Sequence, residues 1–358
     1  MCAAVAALFA LPLALCEKQQ VRADEILLGL SDIERVSQVF LISVEGSSVF
    51  APLEFLEDGR AALPGGFILF SYNVAGDADH LKGYIESAKA AYAANASLAP
   101  YVAVDQEGGL VNRLRGVTGV LPSQKEVAET LTPAQAGELY SSQAKELSSL
   151  GIALNLAPVA EAELASNRLF LQTRTYGKLP AACVYSIACV RAYEENGVGT
   201  VAKHFPGNAN ADPHTGAVEI PLSRQEVFAH FVLPFAFTLA ASPSAVLMSH
   251  AKVVQLDDQP ACTSRWWIED VLRGTLGFEG LVISDDIFMK ALSDSTPEQT
   301  ALDAISSGVD VIMYSEKRFL SIARFLLDEA ARDPEFAGRL FDAERKVVSF
   351  KLAKGIIE

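Results

Sequence analysis

Hydrophobic and polar positions alternate along this chain in a repeating beat. Short β-branched or apolar runs are followed by longer segments of helical period. The runs are VFLISVEG (39–46), GFILFSYN (66–73), YVAVDQEGG (101–109) and ALNLAPVAE (153–161), then GTVAKHFPG (199–207), AVLMSHAKV (245–253), GLVISDD (280–286) and GVDVIMYS (308–315). Strand-like runs separated by helical segments argue for parallel βα units. AGELYSSQAKELSSLG (136–151) and TSRWWIEDVLRGTLG (263–277) read as two of the helices, and the last helix falls near 335–354. Eight such units predict an α/β fold, a single (β/α)8 TIM-type barrel filling residues 26–358.

Polarity changes along each run. Each begins apolar, and most finish on polar or reactive groups: Asn73, Asp105, Glu107, Lys203, His204, His250, Asp285 and Asp286. In a barrel the C-terminal strand ends and the loops after them converge on one face, where active sites form. One such strand would mean little, but several pointing the same way predict a shared pocket.

Composition narrows the function classes. Half of the 358 residues are hydrophobic and only 20% are charged, as in a globular protein. A net charge of -15 argues against a phosphate-backbone partner, so nucleic acid is set aside. No glycine-rich phosphate loop or long linker interrupts the beat. Residues 1–16, MCAAVAALFALPLALC, are uncharged and apolar, too short a run to span a bilayer comfortably. They read as a signal or lipoprotein-type leader with a truncated start, followed by a short linker over 17–25. Leu13-Ala14-Leu15-Cys16 resembles a lipoprotein cleavage box with Cys16 as the lipidated residue. That reading expects an exported protein, periplasmic or at the cell surface, attached to the membrane through Cys16; the alternative is a buried N-terminal helix in a cytoplasmic protein. Cys183 and Cys189 lie six apart on a helical segment, roughly 9 Å along its axis, too far for a disulfide. With Cys262 they read as core thiols, and no metal-ligand spacing is seen.

The candidate chemistry sits at the strand ends. Asp285 follows the apolar LVIS and suits a nucleophile, a metal ligand or a helix cap, while Asp286, just before IFMKALSD, is the better cap. Lys203 and His204 are adjacent, and strict alternation would send them to opposite faces. Both reach one pocket only if the strand ends there, and FPGN supplies the break. Two of the five histidines flank that loop, and Asp212 and His214 in it suit a carboxylate–imidazole pair. The alternative is a surface turn in which Asp212 precedes Pro213. His80 and His230 fall on helical segments and read as surface or core residues. Trp266-Trp267 reads as packing on the barrel, and His250 as a rim hydrogen bond or a sugar contact.

VAVDQEGGLVNRLRG, AKHFPGN…DPHTG and LGFEGLVISDDIFMKAL together resemble the signature stretches of glycoside hydrolase family 3, and within it the β-N-acetylglucosaminidase branch. The similarity runs in order from the first strand run to the eighth. It implies a (β/α)8 barrel and a retaining double displacement through a covalent glycosyl-enzyme, with a carbohydrate substrate and no metal or cofactor. Asp285 is the implied nucleophile, His214 the general acid/base and Asp212 its partner. Asp105 and Arg113 resemble sugar-hydroxyl ligands, Lys203 and His204 the binding pair beside the scissile bond. Arg174, in TRTYG, resembles an arginine that also faces the sugar. The implied amino-sugar substrates are peptidoglycan fragments or related glycosides.

Physical logic supports that division of roles. Retaining hydrolysis ordinarily uses two carboxylates about 5–5.5 Å apart. A loop histidine, with an unperturbed pKa near 6.5, can serve as the second group. Three departures from the family pattern stand out. Gly207-Asn208-Ala209 replaces the usual Gly-His-Gly, the loop to the Asp-x-His pair is shorter and carries Pro213, and Glu161 stands near where an aspartate is usual. Three other readings compete. A metal-dependent hydrolase would use His204, His214, His250 and Asp285, but it lacks the His-x-His of a first strand, and Lys203 would repel the cation. An exported sugar-binding lipoprotein with an inactive barrel and a β-N-acetylglucosaminide phosphorylase are the other two.

Overall fold

The computed structural model describes residues 18–211, 216–289, 292 and 295–358. Its strands in chain order are β1 Phe40–Ser43, β2 Gly66–Leu69, β3 Tyr101–Val104, β4 Gln106–Gly108, β5 Val111–Asn112, β6 Leu154–Asn155, β7 Gly199–Phe205, β8 Ala245–Met248, β9 Leu281–Ile283 and β10 Ile312–Tyr314. β4 and β5 form a small antiparallel hairpin. The other eight make one sheet in the order β10-β1-β2-β3-β6-β7-β8-β9, every pairing parallel. Its edges meet through a parallel bridge between Ile283 and Val311, where the Ser284 amide donates to the Val311 carbonyl at 2.9 Å. The sheet is a (β/α)8 barrel, and each predicted run contains one of its strands.

The strands read as apolar runs because parallel strands under a helical layer are buried on both faces. Leu41, Ile68, Tyr101, Ala103, Leu154, Val201, Leu247, Ile283 and Val311 pack together inside the barrel. Their sequence neighbours Phe40, Phe67, Val102, Ala202, Val246 and Val282 face the helices instead. Full burial of each such side chain is worth about 1.5–3 kcal/mol, so a one-residue slip in register is heavily disfavoured.

The predicted helices are present as Pro133–Ser149, Trp266–Thr275 and Pro334–Ala353. The first begins earlier than its apolar period suggests, because Thr132 caps it by accepting from the Gln135 amide at 3.3 Å and Pro133 occupies its first turn. Trp267 is fully buried against Phe205 and Trp266, so the tryptophan pair is packing, as expected. Cys183, Cys189 and Cys262 are buried free thiols. Among the described residues no helix is long and apolar enough to cross a membrane.

The N-terminal end of the barrel is sealed. Tyr101 meets Phe350 of the last helix edge-on at 5.6 Å, and Lys351 donates to Gln38 at 2.7 Å. Asp310 accepts from the Val282 amide, Arg273 and Arg339, each within 2.9 Å. Those charges are spent on holding strands and helices together.

Candidate active site

Extending the inward-facing positions by two residues toward the strand ends reaches polar side chains. Ala103 leads to Asp105, Val201 to Lys203 and Ile283 to Asp285, so the alternation that builds the core also delivers the chemistry. His204 is out of step. The ladder between β7 and β8 shifts register between Lys203 and Phe205, and His204 turns toward Glu161 of the neighbouring strand end.

Lys203, 3% exposed, sits between two carboxylates, 2.7 Å from Asp105 and 2.7 Å from Glu107. Burial alone would lower its pKa, but the two anions outweigh it and raise it. Glu107 also takes Nε and Nη2 of Arg174 at 2.8 and 2.9 Å, a bidentate pair. Burial would raise the Glu107 pKa, yet the Lys203 and Arg174 cations hold it down at about 2. Arg174 is raised in turn, the Glu107 anion outweighing its burial.

The hairpin after β3 fixes this carboxylate. Gln106 donates its amide to Asn155 at 3.0 Å and its side chain to Asn112 at 2.8 Å, which locks β4 to β6 and to β5. Gly108 has φ of 96°, and a side chain there would clash with the Pro122 carbonyl oxygen, so only glycine lets the turn pack.

A second carboxylate, Glu161, is 3% exposed and organises the other side. It accepts from His204 Nδ1 at 2.9 Å, from the Asn208 amide at 2.7 Å and from the Asn208 side chain at 3.1 Å. With Nδ1 committed to a carboxylate, His204 Nε2 is the nitrogen left for other contacts. Asn208 accepts from Ser249 at 2.9 Å. Two departures from the family pattern, Glu161 and Asn208, therefore meet in space.

Asp285 lies at the exit of β9 and accepts from the Asp286 amide at 2.9 Å. Burial would raise its pKa, but His250, His204, that amide and Lys203 together lower it. His250 Nε2 donates to the Asp286 carbonyl at 2.9 Å, and its Nδ1 faces the Cys262 thiol at 3.1 Å. Both ring nitrogens are engaged, so His250 is a rim hydrogen-bonding group. Asp286 does not open a helix at 287–289; its carboxylate accepts from Phe288 and Ser315 amides at 3.1 and 2.9 Å and ties β9 to β10.

The structure thus gathers Asp105, Lys203, His204, Arg174 and Asp285 at one mouth. Among the described residues Arg113 stands apart from the ion-pair network, its guanidinium 5.8 Å over the Phe70 ring and its buried Nε without a hydrogen-bond partner. Asp212 and His214 lie outside the described residues, as does Cys16. Glu107, Glu161 and Asn208 were not assigned site roles from the sequence. Glu107 carried a usable signal, since it stands two residues beyond Asp105. No comparable signal pairs Glu161 with Asn208, because only the fold brings them together.

Comparison with known proteins extends the picture. Residues 56–344 match the profile described as the glycosyl hydrolase family 3 N-terminal domain. A beta-hexosaminidase of Idiomarina loihiensis is 31% identical over 283 residues, 77% of this chain and 83% of that one. The structure of a beta-N-acetylhexosaminidase from Beutenbergia cavernae superposes with a TM-score of 0.80 at 29% identity, over 91% of this chain and 99% of that one. A family 3 beta-N-acetylglucosaminidase from Paenibacillus gives 0.78 at 26% identity, covering 91% of this chain but only 63% of that longer one.

Proposed function

This chain belongs to glycosyl hydrolase family 3, and from that premise we propose that it is a retaining β-N-acetylhexosaminidase. The enzyme class is a glycosidase acting on O-glycosyl bonds. The finer reading is removal of terminal β-linked N-acetylglucosamine from amino-sugar glycosides such as peptidoglycan fragments. The observation that carries the nucleophile is Asp285, a strand-end carboxylate that accepts from its neighbour's amide and whose pKa is lowered against burial by His250, His204 and Lys203. The amino-sugar specificity is supported by the hexosaminidase relatives.

In this reading Asp285 attacks the anomeric carbon as the glycosidic C–O bond breaks. The leaving oxygen takes a proton from His214, which Asp212 orients. The product is a glycosyl ester on Asp285. Water then attacks the same carbon, gives its proton to His214 and releases the Asp285 carboxylate, so the anomeric configuration is retained. Asp105 and His204 would bind sugar hydroxyls, with Lys203 charged beside them. Arg174 spends Nε and Nη2 on Glu107, leaving Nη1 to donate to the sugar. Arg113 would donate through its guanidinium, whose Nε has no partner among the described residues.

A slow fluorinated N-acetylglucosamine analogue should label Asp285 covalently, as read by peptide mass mapping. Labelling of Asp105 or Asp286 would overturn the nucleophile assignment. His214→Ala should lose far more with poor leaving groups than with activated aryl groups and recover with azide. Equal losses and no rescue would move the proton transfer elsewhere. Export with a lipid on Cys16 completes the proposal, and membrane release by Cys16→Ser in cells fed a fatty-acid probe tests it.

A further inference from the structure

Asp285 is aimed by its neighbour, and that neighbour is held from two sides. Asp286 gives its amide to Asp285 at 2.9 Å, while its carboxylate takes the Phe288 and Ser315 amides. Its carbonyl oxygen takes the Met289 amide at 3.0 Å and His250 Nε2 at 2.9 Å. All but one of these bonds lie within the exits of β9 and β10. The His250 bond comes across from β8, from a buried ring.

A carbonyl oxygen can only accept, so Nε2 carries a proton in every state that keeps this bond. The neutral ring then has a bare lone pair on Nδ1, and a buried acceptor left without a donor is unfavourable. The group that meets it is the Cys262 thiol, with sulfur 3.1 Å from Nδ1. Carbon–carbon packing contacts settle at about 3.5–4.0 Å, so this approach is a hydrogen bond rather than core filling. Cys262 is fully buried, and burial together with the Asp285 anion pushes its pKa up, so the sulfur keeps its proton to donate.

The thiol is itself held. It stands on the short turn Ala261–Thr263, whose Ala261 and Cys262 amides donate to the Ala251 and Ser249 carbonyls at 3.1 and 3.0 Å. Cys262 thus grips two successive residues of the β8 exit, Ser249 by its backbone and His250 by its side chain. Thiol, imidazole, Asp286 and Asp285 form one chain of contacts from the barrel wall to the nucleophile.

We propose that Cys262 is a positioning residue for the nucleophile, acting through His250. The thiol donates to Nδ1, which keeps the Nε2 proton on the Asp286 carbonyl and so sets where the Asp286 amide holds Asp285. The inference rests on the assignment of Asp285 above and gives a role to a thiol whose burial alone would make it a core residue. Asp285 forms and breaks the bond in both steps, so a loosened carboxylate slows turnover, while sugar binding rests on other side chains.

The test uses the full chain and an aryl N-acetyl-β-glucosaminide. Cys262→Ala and Cys262→Ser leave side chains of nearly equal volume, so lost packing is common to both and the difference between them reads the donor. Cys262→Ala should lower kcat about tenfold with KM within about twofold, the scale of one neutral hydrogen bond. Cys262→Ser, whose hydroxyl can donate to Nδ1, should keep kcat within about threefold of wild type. Equal kcat for the two variants, or a loss carried by KM, would overturn the role. Imidazole nitrogen NMR on the labelled wild-type chain needs no variant to fold. His250 should hold its proton on Nε2, and a ring protonated on Nδ1 alone would overturn the proposal. Covalent labelling of a residue other than Asp285, by contrast, would remove the nucleophile and this inference with it.

Discussion

Lys203 and Lys351 are both buried, at 3% and 0% exposure, and they stand at opposite ends of the barrel. At the mouth, Lys203 lies between Asp105 and Glu107, whose charges raise its pKa against the effect of burial. At the floor, Lys351 has the neutral Gln38 amide as its hydrogen-bond partner, beside the Tyr101 ring, and burial pushes its pKa down to about 7. The same residue with the same burial has opposite electrostatics, because desolvation is offset only where an opposite charge is fixed nearby. The mouth is organised to keep charge in place. The floor tolerates one lysine where an apolar side chain would pack.

Lys203→Met should break that contrast most severely. Glu107 would keep Arg174, but Asp105 would lose its fixed cation and Asp285 one of the charges that keep it ionised. The expected loss in kcat/KM is on the order of 10²-fold or more, with about 3 kcal/mol of stability. Kinetics and denaturant melts on the purified chain check both numbers. A variant within tenfold of wild type would mean that Lys203 merely balances charge, as the arginines around Asp310 do at the floor.

Asp105→Ala should have the next largest effect. Its carboxylate is bound to Lys203 on one oxygen and is 15% exposed, so it is the anion of the pair with access to ligand. Removing a hydrogen-bonding partner of a bound sugar costs about 1–3 kcal/mol, or roughly five- to 150-fold in kcat/KM. A loss confined to stability would place Asp105 with the structural carboxylates and sharpen the division between the two ends elsewhere.

Much of this architecture could be read from the sequence, for a physical reason. Parallel strands covered on both faces must be apolar, so the eight runs stand out, and period-two alternation carries the core positions into Asp105, Lys203 and Asp285. What sequence order could not supply is pairing across loops. Glu161 clamps His204 and Asn208 although 43 and 47 residues separate them in the chain. The run 101–109 also conceals a hairpin, because Gln106 leaves the barrel sheet to bind Asn155 and Asn112. The functional weight given to His214 and Asp212 rests on the family resemblance.

Lys351→Met should have the smallest effect on turnover, within about twofold, since Lys351 lies at the end of the barrel opposite the candidate site. Its effect on stability carries the comparison. The ordinary lysine pKa is 10.5 and the folded value is about 7, so below pH 7 both folded and unfolded chains hold the proton. Between about 7 and 10.5 the unfolded chain holds the proton and the folded chain has released it, so stability contributed by this site rises with pH through that window. Replacing the lysine by methionine removes the cost of keeping a poorly compensated cation below pH 7. The variant should therefore gain about 1–4 kcal/mol at pH 6, the range seen when buried ionic groups give way to apolar ones. That advantage should shrink steadily as melts are repeated toward pH 10, where the wild-type lysine is neutral in the fold. Lys203→Met, losing a cation that two carboxylates hold, should be destabilised at pH 6 and pH 8 alike. A gain for Lys351→Met that is the same at pH 6 and pH 10 would mean that packing, not charge, sets its effect, and the electrostatic contrast between the two ends would fall.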